Sequence, residues 1–276
     1  MKKINYNDKI AVVTGASSGI GKEIAKRLIL DHDCTVYAIA RGVERLKEAQ
    51  GELGEKADRY IIYPFDVSKR EEWEKFYAHL TENNVKIELL FNCAGILPKF
   101  QSLESTSIEE YERVMGINYM SQVYACKILL PIIEGETPCI VNVASASALC
   151  PFSGVSAYTS SKAALQRFTE SIAGEGRDVF VCCVLPGFVK TDIMKNQEMN
   201  EKEAGLINAF SADLNKTVTK ILKRVKNRKK RIILGFDGHF MSGFYRLFPN
   251  LAPRLISWFL KKSGISMFNS EGGAKK

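Results

Sequence analysis

A tyrosine and a lysine four residues apart are the first candidates for chemistry in this sequence. Tyr158 and Lys162 lie in a predicted helix, where the i,i+4 spacing places the phenol and the ammonium on one face. A free tyrosine has a pKa of about 10, and a neighbouring ammonium favours the phenolate, so Tyr158 is a candidate acid and base. Ser145 ends the preceding strand, where its hydroxyl can hold a substrate carbonyl oxygen beside the phenol. The three side chains indicate proton transfer at an oxygen atom.

A glycine-rich turn follows the first predicted strand. Its glycines, Gly15, Gly19 and Gly21, allow a tight bend and a close approach of backbone to a ligand. The free amides at the start of the next helix face an anion, which favours the pyrophosphate of a dinucleotide cofactor. A purely structural turn is the alternative.

The second predicted strand lacks the acidic residue that accepts hydrogen bonds from the ribose hydroxyls in many NAD sites. Ala40 leaves room at this place, and the guanidinium of Arg41 can bind a 2′-phosphate through two charge-assisted hydrogen bonds. Arg45 and Lys22 are candidate helpers. The alternative is that Arg41 is an ordinary surface charge. We predict NADP(H) rather than NAD(H) as the cofactor.

The third and fourth predicted strands also end in residues that suit a ligand. Asp66, next to Val67, can accept a hydrogen bond from an adenine amino group. Asn92, Ala94 and Gly95 end the fourth strand, and the glycine lets backbone approach the cofactor ribose. Turn chemistry explains each of these residues equally well.

Short apolar strands alternate with helical patterns along the chain, which predicts a parallel sheet with helices on both faces. A length of 276 residues, of which 46% are hydrophobic, suits one large core and excludes a disordered chain. The predicted strands cover residues 10–14, 35–40, 59–65, 87–92, 139–145, 179–185 and 231–234. The predicted helices include residues 21–30, 69–81, 108–133, 157–173 and 201–225. Ligands of such sheets bind beyond the carboxyl ends of the strands.

These residues, in this order and spacing, resemble the short-chain dehydrogenase/reductase family over residues 8–235. The matching motifs are Thr14-Gly-x-x-x-Gly-x-Gly21, Asn92-x-Ala-Gly95, Asn118, Ser145, Tyr158-x-x-x-Lys162 and Pro186-Gly187 with Thr191. Cys93 and Ala144 stand where the family often has Asn and Ser, and neither replacement removes a catalytic function. The resemblance implies a Rossmann-type doubly wound sheet of about seven strands in a single domain.

The same resemblance implies a role for each matched residue. Tyr158 is the acid for ketone reduction and the base for alcohol oxidation, and Ser145 orients the oxygen. Lys162 binds the nicotinamide ribose and lowers the pKa of Tyr158, while Asn118 breaks a helix and holds a water that relays protons to Lys162. Pro186 and Gly187 begin a loop that closes over the nicotinamide. The expected cofactor contacts are Gly15, Ser17, Ser18, Gly19, Ile20, Gly21, Arg41, Asp66, Val67, Asn92, Ala94, Gly95, Tyr158, Lys162, Pro186, Gly187, Val189 and Thr191.

Residues 190–215 are expected to form a lid over a bulky apolar substrate. Met194 and Phe152 are the expected contacts, together with Ser145 and Tyr158, because methionine and aromatic side chains suit an apolar ligand. Further apolar candidates are Leu97, Pro98, Ile193, Met199, Leu206, Ile207 and Phe210. The alternative for the lid residues is a helix that packs its apolar face on the sheet.

The catalytic domain is expected to end at residue 235, and residues 236–276 form a basic and aromatic extension. Such an extension is similar to that of family members acting on steroids or long-chain lipid ketones. We predict an NADP(H)-linked hydroxysteroid dehydrogenase acting on a steroid or bile acid. The alternatives are a long-chain lipid ketone reductase similar to 3-ketosphinganine reductase and, from another class, a non-catalytic NADP-binding sensor. The extension itself is predicted to be a membrane-surface helix pair, a dimer interface or an active-site flap.

Charge is distributed unevenly along the chain. Residues 216–276 hold fifteen basic and two acidic residues, so they contribute +13 to a total of +8 and leave the remainder at −5. Residues 216–231 read as a helix with a solvated basic face, and the absence of interleaved aromatic residues argues against nucleic acid as a partner. The family resemblance implies a homodimer or homotetramer.

Seven cysteines without a metal-binding spacing predict reduced, buried thiols. His239 has no partner nearby in sequence, so we expect no metal site. The sequence shows no signal peptide and no apolar run of about 18 residues, which predicts a cytoplasmic protein with peripheral membrane contact at most.

Overall fold

In a computed structural model of the protein, which describes residues 2–176, 178–194, 197, 200–263 and 265, one sheet of seven parallel strands forms the centre. The side chains of Leu206 and Phe210 lie outside this description. The strands are β1 (Ile10–Thr14), β2 (Thr35–Ile39), β3 (Tyr60–Ile62), β4 (Leu89–Asn92), β5 (Cys139–Val143), β6 (Phe180–Pro186) and β7 (Arg231–Leu234). Their order in the sheet is β3-β2-β1-β4-β5-β6-β7. The predicted fold class, a Rossmann-type doubly wound sheet, is confirmed.

Helices cover both faces of the sheet, which is why the strands are apolar without polar alternation. In β1, Ala11 and Val13 pack into the core on one face and Val12 into the core on the other. The first face is covered by α1 (Gly19–His32), α2 (Val43–Gly51) and α8 (Leu214–Lys226). The second face is covered by α3 (Arg70–Glu82), α5 (Ser121–Leu129) and α6 (Ser156–Ile172).

The helix predicted over residues 108–133 is interrupted at Asn118, where the family resemblance implied a break. Helix α4 (Ile108–Met115) passes into a π-helical turn (Gly116–Met120) that contains Asn118, and α5 then continues the chain. A π turn inserts an extra residue into the helical hydrogen-bond pattern, which a 3.6-residue apolar period cannot reveal.

The single helix predicted over residues 201–225 is wrong, because the chain turns between α7 (Glu201–Phe210) and α8. Asp213 caps the start of α8, with its carboxylate accepting a hydrogen bond from the Lys216 amide at 2.8 Å. The inward face predicted for the basic segment is confirmed, since Val218, Ile221 and Val225 of α8 are buried. Helix α8 ends at Lys226, earlier than the predicted residue 231.

The C-terminal extension forms two helices, α9 (Phe236–Leu247) and α10 (Ala252–Lys262). Met241 and Ala252 are buried against Ala146 and Cys150, in the segment that follows β5. Gly238 also faces this segment, because a Cβ there would lie 3.4 Å from that of Ala146. No helix in the described part of the chain is long and apolar enough to cross a membrane.

Candidate active site

The glycine-rich turn after β1 leaves an open cradle at the start of α1. Gly15 and Gly19 have positive φ angles of 66° and 52°, which other residues rarely adopt. A Cβ on Gly21 would lie 2.5 Å from the Gly15 carbonyl oxygen, so no other residue fits there. Ser18 is the N-cap of α1 but makes no side-chain capping bond, which leaves the first-turn amides open toward the cleft. This cradle fits a phosphate-bearing ligand.

The cradle is fixed to the strands on either side of it. The Thr14 hydroxyl oxygen accepts hydrogen bonds from the amides of Cys93 and Ala94, both at 3.0 Å, which joins the ends of β1 and β4. The Tyr60 hydroxyl, from β3, donates to the Ala16 carbonyl at 2.9 Å. Residues of three strands therefore hold the backbone that would meet the ligand.

Two arginines follow the end of β2, Arg41 two residues beyond the strand and Arg45 on α2. Arg41 and Arg45 line the cleft, are exposed, and form no ion pair with any residue that the structure describes. Lys22, the third candidate cation, instead pairs with Glu52 at 2.6 Å. The positive charge at this corner therefore comes from the two arginines and stands next to Ala40 rather than a carboxylate.

Asp66 and Val67 line the same end of the cleft, on the segment that follows β3. Ser68 donates to one Asp66 carboxylate oxygen through its amide at 3.0 Å and its hydroxyl at 2.8 Å. Those bonds orient the carboxylate and leave its other oxygen available to accept from a ligand.

Ser145, Tyr158 and Lys162 meet at the far end of the cleft, beyond β5. The Ser145 hydroxyl lies next to the Tyr158 phenol, and its oxygen accepts a hydrogen bond from the Ser147 amide at 3.1 Å. Burial raises the pKa of Tyr158, while the Ser145 hydroxyl lowers it because it stabilises the phenolate. In the chain alone, burial outweighs the lowering that we expected from the adjacent ammonium.

The Lys162 ammonium is buried, with the side chain 3% exposed, and it lies 6.0 Å from the centre of the Tyr158 ring. It donates to the Val143 carbonyl at 2.9 Å, at the end of β5. Burial lowers the pKa of Lys162 to about 8. A Cβ on Gly95 would lie 3.1 Å from the ammonium nitrogen, so the glycine gives this side chain its space.

Asn118 lies fully buried behind this group, on the π turn. Its side-chain oxygen accepts from the Ile96 amide at 2.7 Å, and its amide nitrogen donates to the Ile96 carbonyl and the Ser161 hydroxyl, both at 3.0 Å. Asn118 therefore holds the segment after β4 against α6. Its predicted role in a proton relay stays a prediction.

Asn92 departs from the expected arrangement, because it does not line the cleft. Its fully buried side chain donates to the Asn142 side-chain oxygen at 2.8 Å, and Asn142 in turn donates to Thr169 at 3.0 Å. The side chain at the end of β4 points into the helix layer, so Asn92 ties two strands to α6 rather than contacting a ligand in the cleft.

The loop after β6 closes the cleft, and a residue of the extension holds it. Phe188 donates its amide to the Asp237 carboxylate at 2.8 Å. A Cβ on Gly187 would lie 2.1 Å from that carboxylate, and one on Gly235 would lie 2.2 Å from it. Pro186, Gly187, Val189 and Thr191, the predicted loop contacts, all line the cleft together with Asp237.

Asp237 was not predicted, although the sequence carries a signal for it. It lies three residues beyond the end of β7, at the carboxyl edge where ligands of parallel sheets bind, and it stands between Gly235 and Gly238. Met241, one helical turn further on, is a second cleft residue that was not predicted.

Apolar side chains form the wall beside Ser145 and Tyr158. The Phe100 and Phe152 rings stack with centroids 6.4 Å apart. Leu97, Val155, Ile265, Ile193, Met194 and Ile207 complete this apolar cluster. Met199 of the expected lid lies outside the described residues, as do the side chains of Leu206 and Phe210.

The segment predicted as a lid, residues 190–215, is joined to the core at two places. Gln197 donates to the Pro98 carbonyl at 2.9 Å and accepts from the Phe100 amide at 3.3 Å. Lys190 donates its amide to the Ala212 carbonyl at 3.0 Å, which pairs the loop after β6 with the segment before α8.

Together these residues line one cleft of about 810 Å³. Apart from Asn92 and the buried Asn118, every expected catalytic, cofactor and substrate contact lines it, whereas Lys22, Pro98 and Ile207 of the further candidates do not. The predicted residues on its walls are Gly15, Ser17, Ser18, Gly19, Ile20, Gly21, Arg41, Asp66, Val67, Ala94, Gly95, Ser145, Phe152, Tyr158, Lys162, Pro186, Gly187, Val189, Thr191 and Met194. Within the described ranges, no group of three or more His, Cys, Asp or Glu side chains could hold a metal ion.

Comparison with known proteins identifies the family. The family model described as short chain dehydrogenase matches residues 9–202. The chain belongs to the short-chain dehydrogenase family. It is similar to a Saccharomyces cerevisiae benzil reductase that forms (S)-benzoin, with 32% identity over 197 residues, 68% of this chain and 74% of that protein.

Other similar members of the short-chain dehydrogenase family are named as hydroxysteroid dehydrogenases. An 11-beta-hydroxysteroid dehydrogenase A of Sesamum indicum is 30% identical over 228 residues, which are 82% of this chain and 64% of that protein. The fold is similar to that of a short chain dehydrogenase/reductase from Burkholderia phymatum, solved in complex with NAD. That comparison gives a TM-score of 0.78 at 21% identity and covers 90% of this chain and 96% of the other.

Replacing the buried lysine should change how stability depends on pH. Between pH 8 and 10.5 the unfolded chain binds a proton that the folded chain has lost, so Lys162 makes the folded chain more stable as pH rises. Between pH 7 and 9.5, the free energy of unfolding of the wild type should rise by about 2 kcal/mol relative to Lys162→Met. Denaturant unfolding without dinucleotide measures this difference. Lys127→Met, at an exposed site, is the control, and an equal change in both variants would contradict the assignment.

Removing the Asp237 carboxylate should loosen the loop after β6. Asp237→Ala leaves the Phe188 amide without its acceptor, so we expect a loss of about 1–3 kcal/mol in the free energy of unfolding and weaker dinucleotide binding. Asp237→Asn keeps an accepting oxygen and should retain most of both. Titration calorimetry and denaturant unfolding of the two variants test this, and equal losses would show that the hydrogen bond is not the important contact.

Proposed function

We propose that the protein is an NADP(H)-dependent oxidoreductase that interconverts a ketone and a secondary alcohol on a bulky hydrophobic substrate, most specifically a hydroxysteroid. The observation that carries this proposal is the pairing of Ser145, Tyr158 and Lys162 at one end of the cleft with Arg41 and Arg45 at the other. Family membership supports oxidoreductase activity, and the arrangement within the cleft supports the cofactor and the substrate class.

Tyr158 is the proposed acid and base of the reaction. The nicotinamide cofactor, when bound, supplies or accepts the hydride. In ketone reduction the Tyr158 hydroxyl gives its proton to the carbonyl oxygen, and in alcohol oxidation the phenolate takes it back. Ser145, next to the phenol, donates a hydrogen bond that orients the same oxygen.

Lys162 and Asn118 act behind the phenol. The Lys162 ammonium, held at the Val143 carbonyl, places a positive charge near Tyr158 and stabilises its phenolate. Asn118 fixes the segment after β4 on which Gly95 lies, and this keeps open the space that Lys162 occupies. The predicted proton relay through water is part of this proposal.

Preference for NADP(H) is supported by the charges at the end of β2. A 2′-phosphate bound there would meet two exposed arginines without acidic partners, and Ala40 presents no carboxylate to repel it. Among solved relatives of similar fold, one from Burkholderia phymatum is described with NAD and an alcohol dehydrogenase from Thermococcus sibiricus with 5-hydroxy-NADP. The local charges of this chain are therefore the basis for the preference.

A steroid-sized substrate is supported by the apolar wall beside Tyr158. The stacked rings of Phe100 and Phe152, with Met194 and Ile193 from the lid segment, offer flat and adaptable apolar surface and few polar partners. Relatives named 11-beta-hydroxysteroid dehydrogenase in Sesamum indicum and 3beta-hydroxysteroid dehydrogenase in Eggerthella lenta add support from the family. The predicted division at residue 235 and the predicted assembly of two or four copies belong to this proposal, and light scattering tests the assembly.

Arg41→Ala should weaken NADPH binding and leave NADH binding nearly unchanged, because the 2′-phosphate distinguishes the two. Loss of two charge-assisted hydrogen bonds predicts an increase of about 10- to 100-fold in the Kd for NADPH. Fluorescence titration of both cofactors measures this. Arg70→Ala, an exposed arginine outside the cleft, is the control, and equal losses for NADPH and NADH would refute the phosphate contact.

Tyr158→Phe should abolish turnover while the cofactor still binds. The assay is NADPH consumption by the full chain across oxosteroids, oxo-bile acids and long-chain 3-keto lipids. Tyr111→Phe, which removes a phenol outside the cleft, should keep full activity.

Three outcomes of this assay are informative. Steroid-dependent turnover that is lost in Tyr158→Phe supports the proposed function. Turnover on lipid ketones alone would replace the steroid with the lipid substrate class. NADPH binding without turnover on any compound in wild type would favour a sensor and contradict the enzyme.

A further inference from the structure

The exposed apolar side chains of this protein are concentrated on the extension. Seven of the eleven large hydrophobic side chains that are exposed in the described structure fall between residues 236 and 259. They are Phe236, Phe240, Leu247, Phe248, Leu251, Trp258 and Phe259, which we call the aromatic face. Contiguous exposed apolar surface of this kind marks an interaction site more often than scattered single residues do.

The aromatic face is ordered rather than a loose collection of side chains. Along α9, Phe236, Phe240, Phe244 and Phe248 follow one another at i,i+4 spacing, with successive ring centroids 5.4–6.3 Å apart. On α10, the Trp258 ring packs against that of Phe259 at 5.0 Å. The opposite sides of the two helices pack on the core through Met241 and Ala252. Within the described residues, each helix therefore has one buried side and one exposed side.

Apart from Asp237, the charged residues of α9 and α10 are all basic. Arg246, Arg254, Lys261 and Lys262 are exposed, and between residues 238 and 263 the sequence has no aspartate or glutamate. The Lys262 ammonium lies 4.8 Å from the Trp258 ring centre, at the boundary between the apolar and the charged surface. Apolar rings surrounded by basic groups are the pattern of a helix that lies on an anionic bilayer.

The charges also argue against a second copy as the occupant. A two-fold interface brings the same patch of both subunits together, so cationic residues would meet cationic residues with no acidic partner on α9 or α10 beyond Asp237. A lipid surface with anionic headgroups has the complementary charge.

We propose that α9 and α10 form a docking surface for an anionic phospholipid bilayer, with the aromatic face inserted at the interface and the basic residues at the headgroups. This goes beyond the proposed reaction and does not depend on it. The surface adjoins the substrate end of the cleft. Met241 of α9 lines the cleft, and the Ser257 hydroxyl of α10 accepts a hydrogen bond from the amide of Ser153, next to Phe152. An apolar substrate could then enter from the lipid.

Tryptophan fluorescence gives a direct test, since the chain has two tryptophans and they are in opposite environments. Trp73 is fully buried, whereas Trp258 is 48% exposed on the aromatic face. With vesicles of phosphatidylcholine and about 30% phosphatidylserine, the emission of the full chain should shift to the blue and be quenched by brominated acyl chains. Trp258→Phe should remove the response, and pure phosphatidylcholine should give a much weaker one.

Two pairs of variants separate the aromatic face from general charge and apolarity. Leu247→Ser with Phe259→Ser should lower vesicle binding strongly, whereas Leu103→Ser with Ile108→Ser, equally exposed elsewhere, should not. Arg246→Gln with Arg254→Gln should lower binding by about fivefold per charge, whereas Lys220→Gln with Lys223→Gln on α8 should have little effect.

Four results would overturn the proposal. These are no binding to anionic vesicles, equal loss in the α8 variant, an unchanged Trp258 signal, and self-association without lipid that Leu247→Ser with Phe259→Ser abolishes. The last result would identify a second copy as the occupant.

Discussion

The burial of one ammonium group, that of Lys162, is the constraint on which the active end of the cleft depends. A buried charge is costly unless it is paired or hydrogen-bonded, and no carboxylate of the described chain forms an ion pair with Lys162. Its direct partner is the neutral Val143 carbonyl, and burial brings the pKa of Lys162 down to about 8. The site keeps a weakly compensated cation beside a phenol, which costs stability and serves proton transfer.

Several distant segments have to fit around that group. β5 supplies the accepting carbonyl, α6 supplies both Tyr158 and Lys162, and the end of β4 supplies Gly95, where a side chain would touch the ammonium. The π turn at Asn118 brings the amide that fixes the β4 segment. The parallel sheet is what lets these parts meet, because all strands end at one edge.

The fold and most of the site could be predicted from the sequence because the signals are local. Apolar strands, glycines at a turn and an i,i+4 pair each depend on a few neighbouring residues. The inward position of the Asn92 side chain was not predicted, because either side of a strand end can face a ligand and spacing alone does not distinguish them. The break before α8 was missed because apolar periodicity continues across it, and the break at Asn118 was predicted only from the family resemblance for the same reason. Asp237 was missed because its partner, the Phe188 amide, lies 49 residues away.

The hydrogen bond between Asp237 and the loop after β6 limits which C-terminal helices can replace those of this chain. The part of the chain that matches the family model ends at residue 202, and the carboxylate comes from outside it. Gly187 and Gly235 leave room for that carboxylate, and of the three residues only Gly187 lies within the matched region. A chimera that carried another relative's C-terminal helices to gain a new specificity would also lose the hydrogen bond from the Phe188 amide to Asp237. The specificity brought by the C-terminal helices and the anchoring of the loop after β6 would therefore change together. Residues 236–276 cannot be exchanged without affecting that loop.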